Sequence, residues 1–357
     1  MRKQASFWVI VCGCLVAVAQ AQAPSFPLWA YGYITYPESP GDYSTRCPGD
    51  MPAPCDRPGG LPTDPQNTIR RIEGSDGAFT IAQINYKFGP ADWFPNDHPS
   101  MPDVVAHGKE AKGARACGLC HLPNGKGLMQ NGGAAGLPAA YILQQLADFR
   151  SGKRHSADLN KANSFEMAAI ARAITDEEAK AAAEYFASLK FTKWIRVVES
   201  ETAPKFTATV NGLFLKEEGT DTVPLGKRIV EMPEDTTQTN LLRNPRSGFV
   251  AYVPVGSIKK GEALVATGGA TIVDGKPTPG TGITQPCATC HGQGLKGGVG
   301  AIPPIAGRSA SFLGRALYDY KLGTRAGTAA ALMKPTVEKL TEDDVIAIVA
   351  YVSSLEP

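Results

Sequence analysis

Cys117-Gly118-Leu119-Cys120-His121 and Cys287-Ala288-Thr289-Cys290-His291 repeat one frame at two places in the chain. Each has two thiols separated by two residues, with an imidazole directly after the second. The resemblance continues downstream. Tyr141-Ile142 and Phe149-Arg150-Ser151-Gly152-Lys153-Arg154 match Phe312-Leu313 and Tyr320-Lys321-Leu322-Gly323-Thr324-Arg325. Met167 and Met333 each stand seven residues before Ile174 or Leu340. Thr175-Asp176-Glu177-Glu178 and Thr341-Glu342-Asp343-Asp344 each predict a helix start. The threonine caps free backbone N–H groups, and the acid three residues on favours the positive end of the helix. Those helices are expected to end in Tyr185–Leu189 and Tyr351–Leu355. Shared order and most of the spacing point to one duplicated unit.

The chemistry of the repeated frame is specific. Cys-x-x-Cys-His is the pattern that attaches haem c. The thiols add to the two vinyl groups on one porphyrin edge, and the adjacent histidine reaches the iron from the same face. Cys117, Cys120, Cys287 and Cys290 are therefore the expected attachment points of two covalent haems, with His121 and His291 as axial ligands. Zinc pairs have no need of the adjacent histidine. A redox dithiol expects a βαβ setting that these helical flanks do not supply. The opposite axial ligand decides what each iron does: methionine or histidine favours electron transfer, and an open position favours binding of small molecules. Met167 and Met333, at equivalent places, are the candidate sixth ligands. Core filling is the commoner use of a lone methionine, but the duplication favours ligation. Met129 and His155 are rival candidates at the first site. His98 and His107 have no counterpart in the second unit and are expected to face solvent or pack.

The rest of the chain fits an exported globular protein. It has 357 residues, with 43% hydrophobic and 20% charged, which allows a packed core. Residues 1–21 read as a signal peptide: Arg2 and Lys3, an apolar run from Phe7 to Val18, and small residues at Ala19–Ala23. Without Arg2 and Lys3 the 36 basic residues fall to 34 against 34 acidic, and this neutrality argues against a nucleic-acid partner. Residues 22–100 read as an irregular Pro/Gly-rich arm, in which Trp29, Tyr31 and Tyr33 alternate as in an extended piece. Cys47 and Cys55 are expected to form a disulfide in an oxidising compartment. The boundaries that follow are a helical unit at 101–190, a β-rich connecting segment at 191–255 and a second helical unit at 256–357. The short runs Phe191–Val198, Phe206–Leu215, Arg228–Met232 and Phe249–Val253 predict the strands of the connecting segment.

Each unit resembles a class I cytochrome c domain, and the whole is similar to a tandem dihaem cytochrome c. The resemblance rests on Cys-x-x-Cys-His, the Tyr/Phe…Gly-x-Arg block, the methionine and the terminal helix. It implies a mainly α fold of two small helical haem domains, here with the irregular arm and a small β-rich insert between them. It also implies crossed first and last helices in each unit, with Gly108 and Gly261 allowing close approach. In the family a proline carbonyl orients the proximal histidine; Pro303 fits that role, while the aligned position in the first unit is Gly132. Arg154 and Arg325 are candidate partners of haem propionates, or else exposed arginines. The implied function is electron transfer in the periplasm rather than catalysis. The partners would be a periplasmic dehydrogenase, a terminal oxidase or another cytochrome, with any membrane association made through partners. A subunit of a larger oxidoreductase complex and a dihaem peroxidase are the alternatives.

Overall fold

The computed structural model describes residues 26–33, 67–209 and 211–357. The leader at 1–21 and the Cys47–Cys55 pairing lie outside these residues. No helix among the described residues is long and apolar enough to cross a membrane.

The first unit is built from α1 (Ala139–Arg150), α2 (Ala162–Ala173) and α3 (Asp176–Ser188), with α1 packed against both others. The second contains α4 (Ser257–Thr267), α5 (Ala310–Lys321), α6 (Ala330–Val337) and α7 (Glu342–Ser354). Both terminal helices begin at the expected threonine cap, and in each the acid three residues on also reaches back to the cap residue. Thr175 Oγ1 accepts from the Glu178 N–H at 3.2 Å, while the Glu178 carboxylate accepts from the Thr175 N–H at 2.7 Å. Thr341 and Asp344 repeat the arrangement at 3.2 and 3.0 Å. Each box satisfies two donors that a helix start leaves orphaned.

Gly261 lies where α4 crosses α7. A Cβ there would stand 1.9 Å from the Ala347 carbonyl oxygen. Gly108 does something else. Its unit opens with only one helical turn, Asp103–Ala106, and Gly108 follows it at φ +67°. A Cβ there would meet the Ala114 carbonyl oxygen at 2.4 Å, so this glycine closes a tight local loop rather than a helix crossing.

The connecting segment forms strands β1 (Ile195–Glu199), β2 (Thr202–Pro204), β3 (Phe206–Ala208), β4 (Phe214–Lys216), β5 (Thr222–Pro224), β6 (Val230–Pro233) and β7 (Phe249–Val253). The main sheet has the order β1-β7-β6, with β1 parallel and β6 antiparallel to β7. The run Phe206–Leu215 is not one strand. It folds back as the β3–β4 hairpin, turning through Gly212 at φ +83°. The segment does not hold the units apart. It builds onto the second unit, where β1 and β7 contact α7 and β6 contacts α5. The fully buried Glu231 on β6 caps α5, accepting from Ser309 Oγ and the Ser311 N–H, both at 2.8 Å.

Two described parts of the arm, 26–33 and 67–100, pack into the fold. Leu28–Tyr31 is a 3₁₀ turn ended by Gly32 at φ +85°, not an extended piece. Trp29, Ala30 and Tyr31 enter the same core as the insert and the second unit. Tyr31 donates to Asp319 at 2.8 Å, and Tyr33 donates to Asp158 at 3.0 Å. Residues 67–97 make a separate small core of Ile72, Ile81, Ile84, Trp93 and Phe94, closed by Leu242 of the insert. The Trp93 indole N–H donates to the Leu242 carbonyl at 2.7 Å.

The two units pack directly. The matching Gly-x-Arg segments pair as a short antiparallel bridge between Arg154 and Arg325. The His155 N–H donates to Thr324 O at 2.9 Å, and the Ala326 N–H to Lys153 O at 2.7 Å. Identical sequence positions meet each other, as a pseudo-two-fold relation between duplicated units requires.

Candidate haem sites

The first cysteine pair sits on one helical turn, Cys117–His121; in the second, Cys287 is the residue at the start of the turn Ala288–His291, which carries Cys290. One turn brings the histidine back beside its cysteines and aims it inward. The His121 Nδ1–H donates to the Gly132 carbonyl at 3.0 Å, and the His291 Nδ1–H donates to Pro303 O at 2.8 Å. A carbonyl can only accept, so in both rings Nδ1 carries the proton and Nε2 keeps a free lone pair. Burial pushes both imidazoles below their ordinary range, which favours the neutral ligand form. Burial also pushes the Cys117 thiol up to about 12 and Cys287 to about 11, keeping them as neutral thiols before any attachment.

The Pro303 contact is as expected. The first unit lacks the proline, and its fold supplies the reason. Gly132 has φ +81°, which proline cannot adopt. A Cβ on Gly132 would also stand 2.5 Å from the Phe312 ring of the second unit. The glycine keeps the carbonyl on His121 while letting the neighbouring unit pack over it.

Both sites open into one continuous cavity. It is lined by Cys117, Cys120, His121 and Met167 from the first unit and by Cys287, Cys290, His291 and Met333 from the second. The two methionines lie within helices, on α2 and α6. Leucine, isoleucine and phenylalanine side chains supply much of the remaining lining. Met129 is not among the lining residues; it is fully buried in the core beside the arm, and its carbonyl accepts from Arg315 at 2.6 Å. His155 bonds the Ser156 carbonyl at 3.1 Å. His98 pairs with Asp92 at 3.2 Å, and exposed His107 reaches Phe88 O at 3.4 Å.

Arg154 and Arg325 stand at the junction of the two halves of the cavity and are not exposed. Both donate to Gln145 Oε1 at 2.8 Å, and Arg325 also bonds the Tyr141 hydroxyl. Arg154 stacks on Phe149 at 4.4 Å, and Arg325 on Tyr320 at 4.5 Å. An apolar slot with two neutral histidines, two soft thioethers and a pair of buried guanidinium groups fits two haems with their carboxylates.

A family model described as Cytochrome c matches residues 105–190 and 278–356. A cytochrome c-554(548) of Halomonas halodenitrificans is 39% identical over 70 residues, covering 84% of that protein and 20% of this chain. The chain belongs to the cytochrome c family. It carries two cytochrome c domains and two covalent haems, one on Cys117 and Cys120 and one on Cys287 and Cys290. Among longer relatives, a thiosulfate dehydrogenase electron acceptor of Stutzerimonas stutzeri is 25% identical over 254 residues, covering 71% of this chain and 84% of that protein. Cytochrome c4 of Pseudomonas aeruginosa is 23% identical over 245 residues, covering 68% and 85%. Of solved structures, a thiosulfate dehydrogenase of Marichromatium purpuratum aligns with TM-score 0.44 and 23% identity over 70% of this chain, which spans 38% of that one. A cytochrome c4 of Pseudomonas stutzeri aligns with TM-score 0.42 and 20% identity, over 67% of this chain and 93% of that one.

The two cytochrome c domains are not equally covered. Leu128 and Val299 stand four residues before the carbonyls that take His121 and His291. Leu128 is 6% exposed and Val299 94%. The first domain's loops are clamped by the insert: Arg243 donates to Leu119 O at 2.8 Å, and Asn124 donates to Pro245 O at 2.5 Å. Repetition in the sequence gives no sign of this asymmetry, because the insert that causes it has no counterpart in the repeat. Gln145 and Arg243 also escaped sequence reasoning, since each acts on a partner far away in the chain.

Proposed function

We propose that this cytochrome is an electron carrier in which His121 and Met167 hold one iron and His291 and Met333 the other. The observation that carries this reading is the shared cavity, in which both histidines and both methionines line one continuous apolar space. The haems supply reversible one-electron chemistry. The chain's own groups do the rest. The Gly132 and Pro303 carbonyls fix the tautomer and orientation of each imidazole. Thioether ligands favour the reduced state and a higher potential. The apolar lining limits water access, and Arg154 and Arg325 are the groups we assign to the haem carboxylates.

Export to the periplasm is part of the proposal, supported by the Arg2-Lys3 start, the apolar run and the small residues that follow. A dehydrogenase as donor and a downstream redox protein as acceptor complete it. A relative whose name makes it the electron acceptor of a thiosulfate dehydrogenase supports a donor of that class.

The test is spectroscopic. The oxidised protein should show the red absorption band of methionine-ligated ferric haem at an intensity matching two haems. Half that intensity, together with peroxide turnover, would overturn the carrier reading in favour of a peroxidase. Met333→Ala should open one iron to carbon monoxide; unchanged ligation would refute Met333 as a ligand.

A further inference from the structure

Arg308 is an internal cation, 4% exposed, in the loop that follows Pro303. Its Nε–H donates to the Pro304 carbonyl at 2.7 Å. Its two terminal nitrogens reach into the other domain, donating to Gly133 O at 3.2 Å and Ala135 O at 3.0 Å. Pro304 directly follows the carbonyl that holds His291, and Gly133 directly follows the one that holds His121. One guanidinium therefore braces both histidine-holding loops. Its ring neighbour is Phe191 at 4.3 Å, and its own carbonyl accepts from Ser353 Oγ on α7.

The repeat makes the arrangement pointed. Gly132-Gly133-Ala134-Ala135-Gly136-Leu137 aligns with Pro303-Pro304-Ile305-Ala306-Gly307-Arg308. Gly136 and Gly307 even share their backbone conformation, at φ +67° and +69°. The first domain thus has Leu137 where the second has Arg308, and its loop is braced from across the interface. Burial lowers the Arg308 pKa to about 10, so the group remains a cation at neutral pH.

We propose that Arg308 is a shared positioning residue that couples the two haem sites. Through its planar fork it sets the placement of both carbonyls that hold the proximal histidines, so that a change at either loop reaches the other. A guanidinium suits this because its donors are rigidly spaced and it is less strongly hydrated than an ammonium. Groups that orient a metal-bound histidine tune the metal, and a single buried positive charge favours the reduced form of both irons. The proposal rests on His121 and His291 being the iron ligands.

The experiment is a redox titration of the full dihaem protein, with NMR of the histidine Nδ1–H and haem-methyl signals, for wild type, Arg308→Lys and Arg308→Met. In Arg308→Met both midpoint potentials should fall together, and the signals of both His121 and His291 should shift. Arg308→Lys keeps the charge but loses the fork. It should restore most of the potentials while the two histidine signals stay displaced. Movement confined to the second domain's haem would overturn the coupling. A lowered melting temperature with unmoved potentials and histidine signals would make Arg308 merely structural, and would overturn it too. Where neither variant folds, the wild type decides: the Arg308 N–H signals should shift on reduction of either haem, and a response to only one refutes the proposal. Failure of the ligand reading is separate, because the His121 and His291 signals of the oxidised wild type would then lack the large paramagnetic shifts of iron-bound imidazoles.

Discussion

Replacing Gly261 by alanine tests the helix crossing that defines the second domain. Two effects oppose each other. Alanine in a helix interior is better than glycine by up to about 1 kcal/mol. The new methyl carbon, however, would stand 1.9 Å from the Ala347 carbonyl oxygen, 2.6 Å from its carbon and 2.7 Å from Tyr351 Cβ. That is roughly 1.5 Å short of ordinary van der Waals contact. None of these atoms is the far end of a flexible side chain, so α4 and α7 must move apart. Overpacking of this kind costs about 1–3 kcal/mol, and a clash with backbone belongs at the upper end. The net loss is about 2 kcal/mol once the helix preference is subtracted. In a chain of 357 residues that lowers the melting temperature by roughly 3 °C. Circular dichroism of the haem-loaded protein on heating measures it. An unchanged or raised melting temperature would refute the reasoning, because it is the result expected of a glycine with open space around it.

Three further outcomes follow from the same geometry. Gly132→Ala must place a side chain at φ +81° and 2.5 Å from the Phe312 ring, whereas Gly152 has φ +75° and nothing within 4 Å. Both changes cost about 1–2 kcal/mol for the left-handed backbone; Gly132→Ala should be the more destabilising in chemical denaturation, and equal losses would remove the interface contact from the explanation. Arg315 donates to Ala30 O at 2.7 Å and Met129 O at 2.6 Å, so Arg315→Met should free the 26–33 segment at a cost of about 1.5–3 kcal/mol for each charge-assisted bond, seen as faster limited proteolysis there. Burial raises the Asp344 carboxyl, but bonds from Lys260 and Thr341 outweigh it and hold the pKa below the usual range. Its stabilisation is therefore present above the unfolded carboxylate pKa of about 3.9 and lost as pH falls through the lower native value. The melting-temperature gap between wild type and Asp344→Asn should close over that acid window and stay open at neutral pH; a gap independent of pH would contradict it.

Local chemistry was legible in the sequence because it depends on neighbours along the chain. Cys-x-x-Cys-His needs only one helical turn, and the capping boxes at Thr175 and Thr341 need only three residues. The histidine contact of Pro303 and the bound on Gly261 followed from the repeated frame and the resemblance it supported. Reading by repetition failed where the duplicated copies had come to do different work, as at Gly108, which closes a loop instead of a crossing. Alternation failed at Trp29 and Tyr31, where Gly32 turns the chain and burial against the second domain replaces strand pairing.

What only the tertiary structure decided lies between elements distant in sequence. No pattern in the chain says that Arg154 meets Arg325, that Gly132 is a glycine because Phe312 lies over it, or that Arg308 braces a loop in the other domain. The two covalent haems are determined by one five-residue pattern, Cys-x-x-Cys-His, present twice. Their relation to each other is determined by packing, because buried guanidinium groups and ring contacts take their partners from whatever the fold brings within reach.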